Sequence, residues 1–267
     1  MLKIKQLTKI LKVINRYFIE LVYKGTPFCG WQWQPNGRSV QEELERAFGI
    51  LLREPVRLTG AGRTDAGVHA LYYVAHFDAS RDDLHTDISL INKLNGIIPR
   101  EIAVYRIYAV PSHTNARYNA VLRTYHYRIA TRKNPFTMDR AFHFYRPLNV
   151  DKMNEAAAIL LEYDDFASFR KLPTDAKTTL CHVTNAQWID DHNGELLFMI
   201  TANRFLRNMV RAIVGTMIDI GVGKYPPEDM RRIILEKDRG MAGASAPPQG
   251  LYLAKIEYPE IPGFSFL

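Results

Sequence analysis

Cysteine, long apolar runs and metal-ligand spacings are what this chain of 267 residues has little of. Its two cysteines, Cys29 and Cys181, stand far apart and neither belongs to a C-x-x-C pair, which argues against a zinc ribbon or a disulfide framework. Reduced thiols, as in an intracellular protein, are the simpler reading. Eight histidines are scattered without H-E-x-x-H or another ligand spacing, so no metal is expected. No uninterrupted apolar run approaches the roughly 20 residues that span a bilayer. The chain reads as a soluble, cytoplasmic protein without a membrane partner.

What is present points to a folded, basic protein. Hydrophobic residues make up 47% and aromatics 11% of the chain, enough to bury a core. The length lies near the upper limit for one core, which allows one large domain or two smaller ones. Lys and Arg number 35 against 28 Asp and Glu, a net charge of +7 that favours a polyanionic partner over a neutral small molecule. Residues 1–15 carry Lys3, Lys5, Lys9 and Lys12 without an acid, with Leu7, Ile10, Leu11 and Ile14 at helical spacing. They lack a secretory apolar region and are read as a basic extension.

From Tyr17 onward, period-two alternation predicts a strand that stops at Gly25, Pro27 and Gly30. Ser39 and Glu42 form a capping-box pattern ahead of Val40, Leu44, Ala47, Phe48 and Leu51 at helical spacing. Residues 56–60 and 71–78 read as a strand pair, 87–96 as a helix and 102–110 as a strand. The order is β-α-β-β-α-β. The second half repeats it loosely: a strand over 122–130, a helix after Asp151, a hairpin turning at Asn193-Gly194, a helix over 205–220, another after Pro226-Pro227, and a closing strand over 251–258. The fold class is therefore α/β in the α+β sense: two split β-α-β, ferredoxin-like lobes with a mainly antiparallel sheet. The lobes are placed at 16–112 and 113–267.

Three stretches carry chemistry. Gly60-Ala61-Gly62-Arg63-Thr64-Asp65-Ala66-Gly67-Val68-His69 sets one acid in a glycine-rich loop beside a cation and a histidine. Glycine there permits strained backbone and close ligand approach, although a turn aspartate bonding its own backbone fits the pattern equally well. On the 122–130 strand, Arg123, Tyr125 and Tyr127 share one face, which suits a phosphate contact with bases stacked beside it; ordinary core packing is the plainer account of Tyr127. Arg204, Arg207 and Arg211, spaced i, i+3 and i+7 on the expected helix, could track RNA phosphates or form a solvated face.

At these residues the chain resembles the TruA-type tRNA pseudouridine synthases from about Arg16 to its end. The resemblance rests on Gly62-Arg63-Thr64-Asp65-Ala66-Gly67-Val68-His69, Arg123-Thr124-Tyr125-His126-Tyr127, Phe166-Ala167-Ser168-Phe169-Arg170, Met209-Val210-Arg211 and Ala246-Pro247-Pro248-Gln249-Gly250-Leu251-Tyr252. It implies pseudo-symmetric lobes with an RNA-binding cleft between them, a homodimer, no cofactor, and isomerisation of uridines 38, 39 or 40 in the tRNA anticodon arm. Asp65 would be the catalytic carboxylate, and Arg63 would fill the space left by a flipped base. Arg211 would hold Asp65 charged and aimed, and Tyr125 would stack on the uracil and could assist proton removal. Arg123, Arg170, Arg204 and Arg207 are the further expected RNA contacts. Residues 1–15 precede the family's usual start, and Arg204 stands where relatives usually have a small residue.

Two other classes compete with this reading. An RNA-binding module without chemistry has no use for an acid in a phosphate-facing groove. A metal-dependent nuclease needs clustered carboxylates, and Asp65 has no acidic neighbour in sequence.

Overall fold

The computed structural model describes residues 14–35, 37–172 and 177–264. The basic extension over 1–15 therefore falls almost wholly outside the described residues.

The described residues form a mixed α/β architecture with five α-helices and a mainly antiparallel sheet. The first half supplies β1 (Asn15–Tyr23), α1 (Val40–Leu52), β2 (Thr59–Gly60), β3 (His69–Ala79), α2 (Ile88–Ile97) and β4 (Ile102–Val110). The second supplies β5 (Leu122–Ala130), β6 (Phe142–His143), α3 (Val150–Ile159), β7 (Val183–Asp190), β8 (Glu195–Ala202), α4 (Met209–Gly221), α5 (Asp229–Glu236) and β9 (Leu251–Glu257). The main sheet runs β4-β1-β3-β9-β5-β8-β7, with β2 paired to β3 and β6 to β5. With the short β6 set aside, each half has four strands that, ranked in chain order, take the order fourth, first, third, second: β4-β1-β3-β2 and β9-β5-β8-β7. All pairings within these two sets are antiparallel. The halves meet where β3 and β9 run parallel, His69 opposite Tyr252 and Ala70 opposite Leu253.

Local chemistry accounts for the element ends. Ser39 caps α1 by accepting from the Glu42 N–H at 3.2 Å, and Asp87 caps α2 by accepting from Leu90 N–H at 3.0 Å. The acid of the α1 start that matters most is not Glu42: the buried Glu43 carboxylate accepts from both Arg38 and Arg46. The strand pair expected from residue 56 shrinks to Thr59–Gly60 against β3. The hairpin between β7 and β8 is longer than a two-residue turn, with His192 and Gly194 at φ of 56° and 94°.

Two cores lie along the sheet. The first joins β1, α1, β3, α2 and β4, with Phe48 against Phe77 at 4.6 Å and Phe77 against Tyr17 at 5.5 Å. It also takes in Leu253, Ile256, Tyr258, Ile261 and Phe264 from the end of the chain. The second is built on α3, α4, α5, β7 and β8, with Trp188 stacked on Phe198. The loop carrying Asp65 is anchored in both, since Ala61 belongs to the first core and Val68 to the second.

Candidate active site

The loop between β2 and β3 is held by groups from the β1–α1 connection. Thr64, almost fully buried, accepts from the Trp31 N–H at 3.1 Å and shares a hydrogen bond with the Tyr23 hydroxyl at 2.9 Å. The Gly67 N–H donates to Phe28 O, the Val68 N–H closes a turn onto Asp65 O, and the Tyr73 hydroxyl donates to Gly62 O. Gly30 makes this packing possible. Its φ is +105°, and a Cβ there would sit 2.2 Å from Thr64 O.

His69 ties this loop to the second half. Its Nδ1 accepts from the Gly25 N–H at 3.1 Å, and its Nε2–H donates to Gln249 O at 3.2 Å, which fixes one neutral tautomer. Burial pushes its pKa down, and the ring stacks on Tyr252 at 4.6 Å.

Asp65 does not cap its own turn. Its Oδ2 accepts from Arg211 Nη1 at 3.3 Å, and Arg207 Nε lies 3.8 Å from Oδ1. The carboxylate is one-quarter exposed, Arg211 is 18% exposed and Arg207 56%. Arg211 is further held at Nε by Ala246 O at 2.7 Å, while the Ala246 N–H returns a bond to Arg211 O. A single acid is thus opposed by two guanidinium groups, 142 and 146 residues later in the chain.

The arginine stripe takes a different form from the helix expected over 205–220. The helix α4 begins at Met209, after Asn208 in the left-handed region with φ of 66°. Arg204 and Arg207 precede it and do not lie on a helical face with Arg211. The apolar spacing of Phe205, Met209 and Ile213 ran across the true boundary. Asn208 was the available signal, because asparagine tolerates positive φ and is common next to helix starts.

Tyr125 on β5 packs edge-on against Phe205 at 5.0 Å. Burial pushes its phenol up to about 12, with Arg123 pulling the other way and Asp65 adding to the rise. Arg123 is turned inward: it donates to the carbonyls of Ala120, Asn203, Ala61 and Arg117 at 2.8–3.1 Å. Four of its five N–H groups are thereby used within the protein, one of them on the Asp65 loop. Tyr127 is fully buried with its hydroxyl on Pro247 O, as core packing predicts. Arg63 is exposed, two residues before Asp65. Arg170 is half-buried, and its neighbour Lys171 donates its N–H to Arg207 O, so the Phe166–Arg170 stretch borders the same region. Lys171, Asn208, Arg239 and Ser245, which line a cavity with Arg211, were not singled out in the sequence. They come from three separate stretches with no shared spacing.

Among the described residues no group of three or more His, Cys, Asp or Glu is placed to hold a metal ion, and no helix is long and apolar enough to cross a membrane. One carboxylate faces two guanidiniums between two halves of a mainly antiparallel sheet, an arrangement suited to an acidic group working inside a basic surround. A sequence model described as tRNA pseudouridine synthase matches residues 156–259. The tRNA pseudouridine synthase A of Bacteroides thetaiotaomicron is 48% identical over 249 residues, covering 92% of each chain. The protein of that name from Porphyromonas gingivalis is 49% identical, covering 91% of this chain and 97% of its own, and that of Paraburkholderia phymatum is 37% identical over 92% of each. The chain belongs to the tRNA pseudouridine synthase A (TruA) family, whose members convert uridine in tRNA to pseudouridine.

Proposed function

We propose that this enzyme acts on uridines 38, 39 or 40 of the tRNA anticodon arm, turns the target base out of the stem, and depends on Asp65 as its one essential carboxylate. The observation that carries this reading is Asp65 set against Arg211 and Arg207 across the junction of the two halves. A uridine stacked in a stem cannot reach that carboxylate, and unstacking costs a few kcal/mol that contacts to the protein must offset. The reaction breaks the bond between the ribose carbon and N1, rotates the uracil, and forms a bond to C5. C5 loses its proton and N1 gains one, with no change of redox state.

In this scheme Arg211, fixed by Ala246 O, aims Asp65 and balances its charge. The raised pKa of Tyr125 keeps its hydroxyl protonated near neutral pH, which favours a stacking platform over a general base. Arg63 stands at the exposed edge, where it would enter the space the base vacates. Arg170, Arg204 and Arg207 would contact phosphates, and Arg123 would brace the Asp65 loop from β5. The matching strand orders support two pseudo-symmetric lobes, over 16–112 and 113–267, with the RNA in a cleft between them. A cytoplasmic homodimer completes the proposal.

Incubating the protein with unmodified tRNA transcripts and mapping pseudouridine by position tests it. Modification confined to 38–40 is the expected result. Modification elsewhere overturns the assignment of position, and none at all overturns the reading of the site.

A further inference from the structure

Next to Asp65 the structure holds a cavity of about 430 Å³ lined by Lys171, Leu172, Asn208, Arg211, Arg239 and Ser245. Separate segments are locked together to make it. The Lys171 N–H donates to Arg207 O at 3.0 Å, fixing one wall to the approach of α4. Asn208 Nδ2 donates to Ser245 Oγ at 2.6 Å instead of capping the helix, and Arg239 Nη2 donates to the same hydroxyl at 3.0 Å. Arg239 Nη1 donates to Ala242 O and Gly243 O, so the opposite wall is braced as well.

Charge on this cavity is of one sign. Lys171, Arg211 and Arg239 all border it, and no carboxylate is among its lining residues within the described part of the chain. Arg211 is balanced by Asp65 on its other side, whereas Arg239 has only carbonyls and a hydroxyl as partners among the described residues. Those bonds occupy three of the five N–H groups of the guanidinium, leaving two. Gathering like charges without a counter-charge is unfavourable, and an anion entering the cavity would relieve it. The start of α4, with Asn208 just before it and Arg211 in its first turn, adds the positive end of the helix dipole to that field.

We propose that this cavity is a subsite for one backbone phosphodiester of the RNA, flanking the uridine presented to Asp65. The proposal rests on Asp65 being the reacting carboxylate. Lys171 and Arg239 would grip the phosphate, leaving Arg211 to serve Asp65, so that the residue shared by cavity and site links capture of the strand to placement of the base.

The test uses synthetic anticodon stem-loops in which a single phosphate, 5′ or 3′ of the target uridine or remote from it, is replaced by a neutral methylphosphonate. Binding is measured to the wild type and to Lys171→Gln, an exposed position whose change should leave the melting temperature unaltered; Arg239→Gln, which also loses bracing bonds, serves only as a second variant if it folds. Lys171→Gln should weaken binding of the unmodified stem-loop about tenfold and lower the slope of log K against log salt by about 1. One neutralised phosphate beside the target should weaken the wild type and have little further effect in Lys171→Gln, because both changes remove the same contact. Wild-type affinity and salt slope in Lys171→Gln, or losses that add fully at every phosphate, overturn the subsite. Pseudouridine yield by the wild type is scored in parallel. Normal yield with additive losses sinks the subsite alone, and no yield sinks the reading of Asp65 on which it rests.

Discussion

The Asp65 loop and the segment carrying Arg207 and Arg211 face one another across the site, yet they are held differently. The loop is fixed mostly from its own half, by Thr64 to Trp31 and Tyr23, Tyr73 to Gly62 O, and Gly67 to Phe28 O, with Arg123 of β5 adding a bond to Ala61 O. The opposite segment has one clamped cation and one loose one. Arg211 is anchored on Ala246, whereas Arg207 is more than half exposed and 3.8 Å from the carboxylate. A preset acid facing an adjustable basic edge suits a site that must place one base closely while admitting a bulky nucleic acid. The loop backbone beneath the carboxylate is preorganised, and Arg207 on the opposite edge is the less constrained of the two cations.

Breaking the clamped cation should cost most. Arg211→Ala leaves Asp65 without its short-range partner and should lower turnover about a hundredfold, corresponding to roughly 3 kcal/mol, the lower end for buried pairs because this one is partly exposed. RNA affinity should fall far less. Equal losses in both would make Arg211 a phosphate contact and remove the distinction between the two cations.

Loosening the loop comes next. Thr64→Val keeps the shape and removes the hydroxyl, stranding the buried Trp31 N–H and Tyr23 hydroxyl, at about 1–3 kcal/mol of stability. Melting temperature and turnover should fall together, with turnover still measurable. A variant as stable and active as wild type would show that the loop is not preset by this network.

Arg207→Gln should have a smaller effect, since exposed ion pairs contribute about 0–1 kcal/mol. Turnover at saturating RNA should change no more than severalfold, while the salt dependence of binding becomes shallower. A loss matching that of Arg211→Ala would erase the difference between the clamped and the loose cation.

Acid sensitivity is the mildest expected effect. Burial lowers the pKa of His69, and that of His76 to about 4, from 6.5. Their neutral forms therefore contribute stability that is complete above about pH 6.5 and is lost progressively as pH falls below it. Thermal melts from pH 7.5 to 5 should slope downward, and less steeply in His69→Gln. An unchanged slope would mean that the tie from Gly25 through His69 to Gln249 does not depend on the neutral ring.

Much of this was legible in the sequence, for reasons that show where the rest was not. Strands β4 and β5 were marked to the residue: each is a run rich in β-branched and aromatic residues, β4 stopping at Pro111 and β5 at the polar stretch Thr131-Arg132-Lys133-Asn134. The capping pattern at Ser39 announced α1, while the helix expected over 87–96 was placed by its spacing and proves to be capped by Asp87. Asp65 was singled out as one acid among three glycines, and its pairing with Arg211 was available only through family resemblance. The start of α4 was missed since helical spacing persists through an extended approach. The inward turn of Arg123 was hidden because its partners Ala61, Arg117, Ala120 and Asn203 are backbone carbonyls, which any residue supplies. The contribution of Leu253 through Phe264 to the first core likewise depends on β9 pairing with β3, a contact that no local pattern encodes.

The central claim, that Asp65 supplies charge to the reaction and not structure to a turn, is tested most directly by Asp65→Asn. The amide keeps the size of the side chain and its hydrogen-bonding capacity but is a poor nucleophile and a poor base. Pseudouridine yield, tRNA affinity and melting temperature should be measured on the same preparation. The account predicts yield below detection, affinity equal to or above wild type because a negative charge near the phosphates has gone, and a melting temperature within a few degrees of wild type. A well-folded Asp65→Asn enzyme that still forms pseudouridine at an appreciable rate would contradict it.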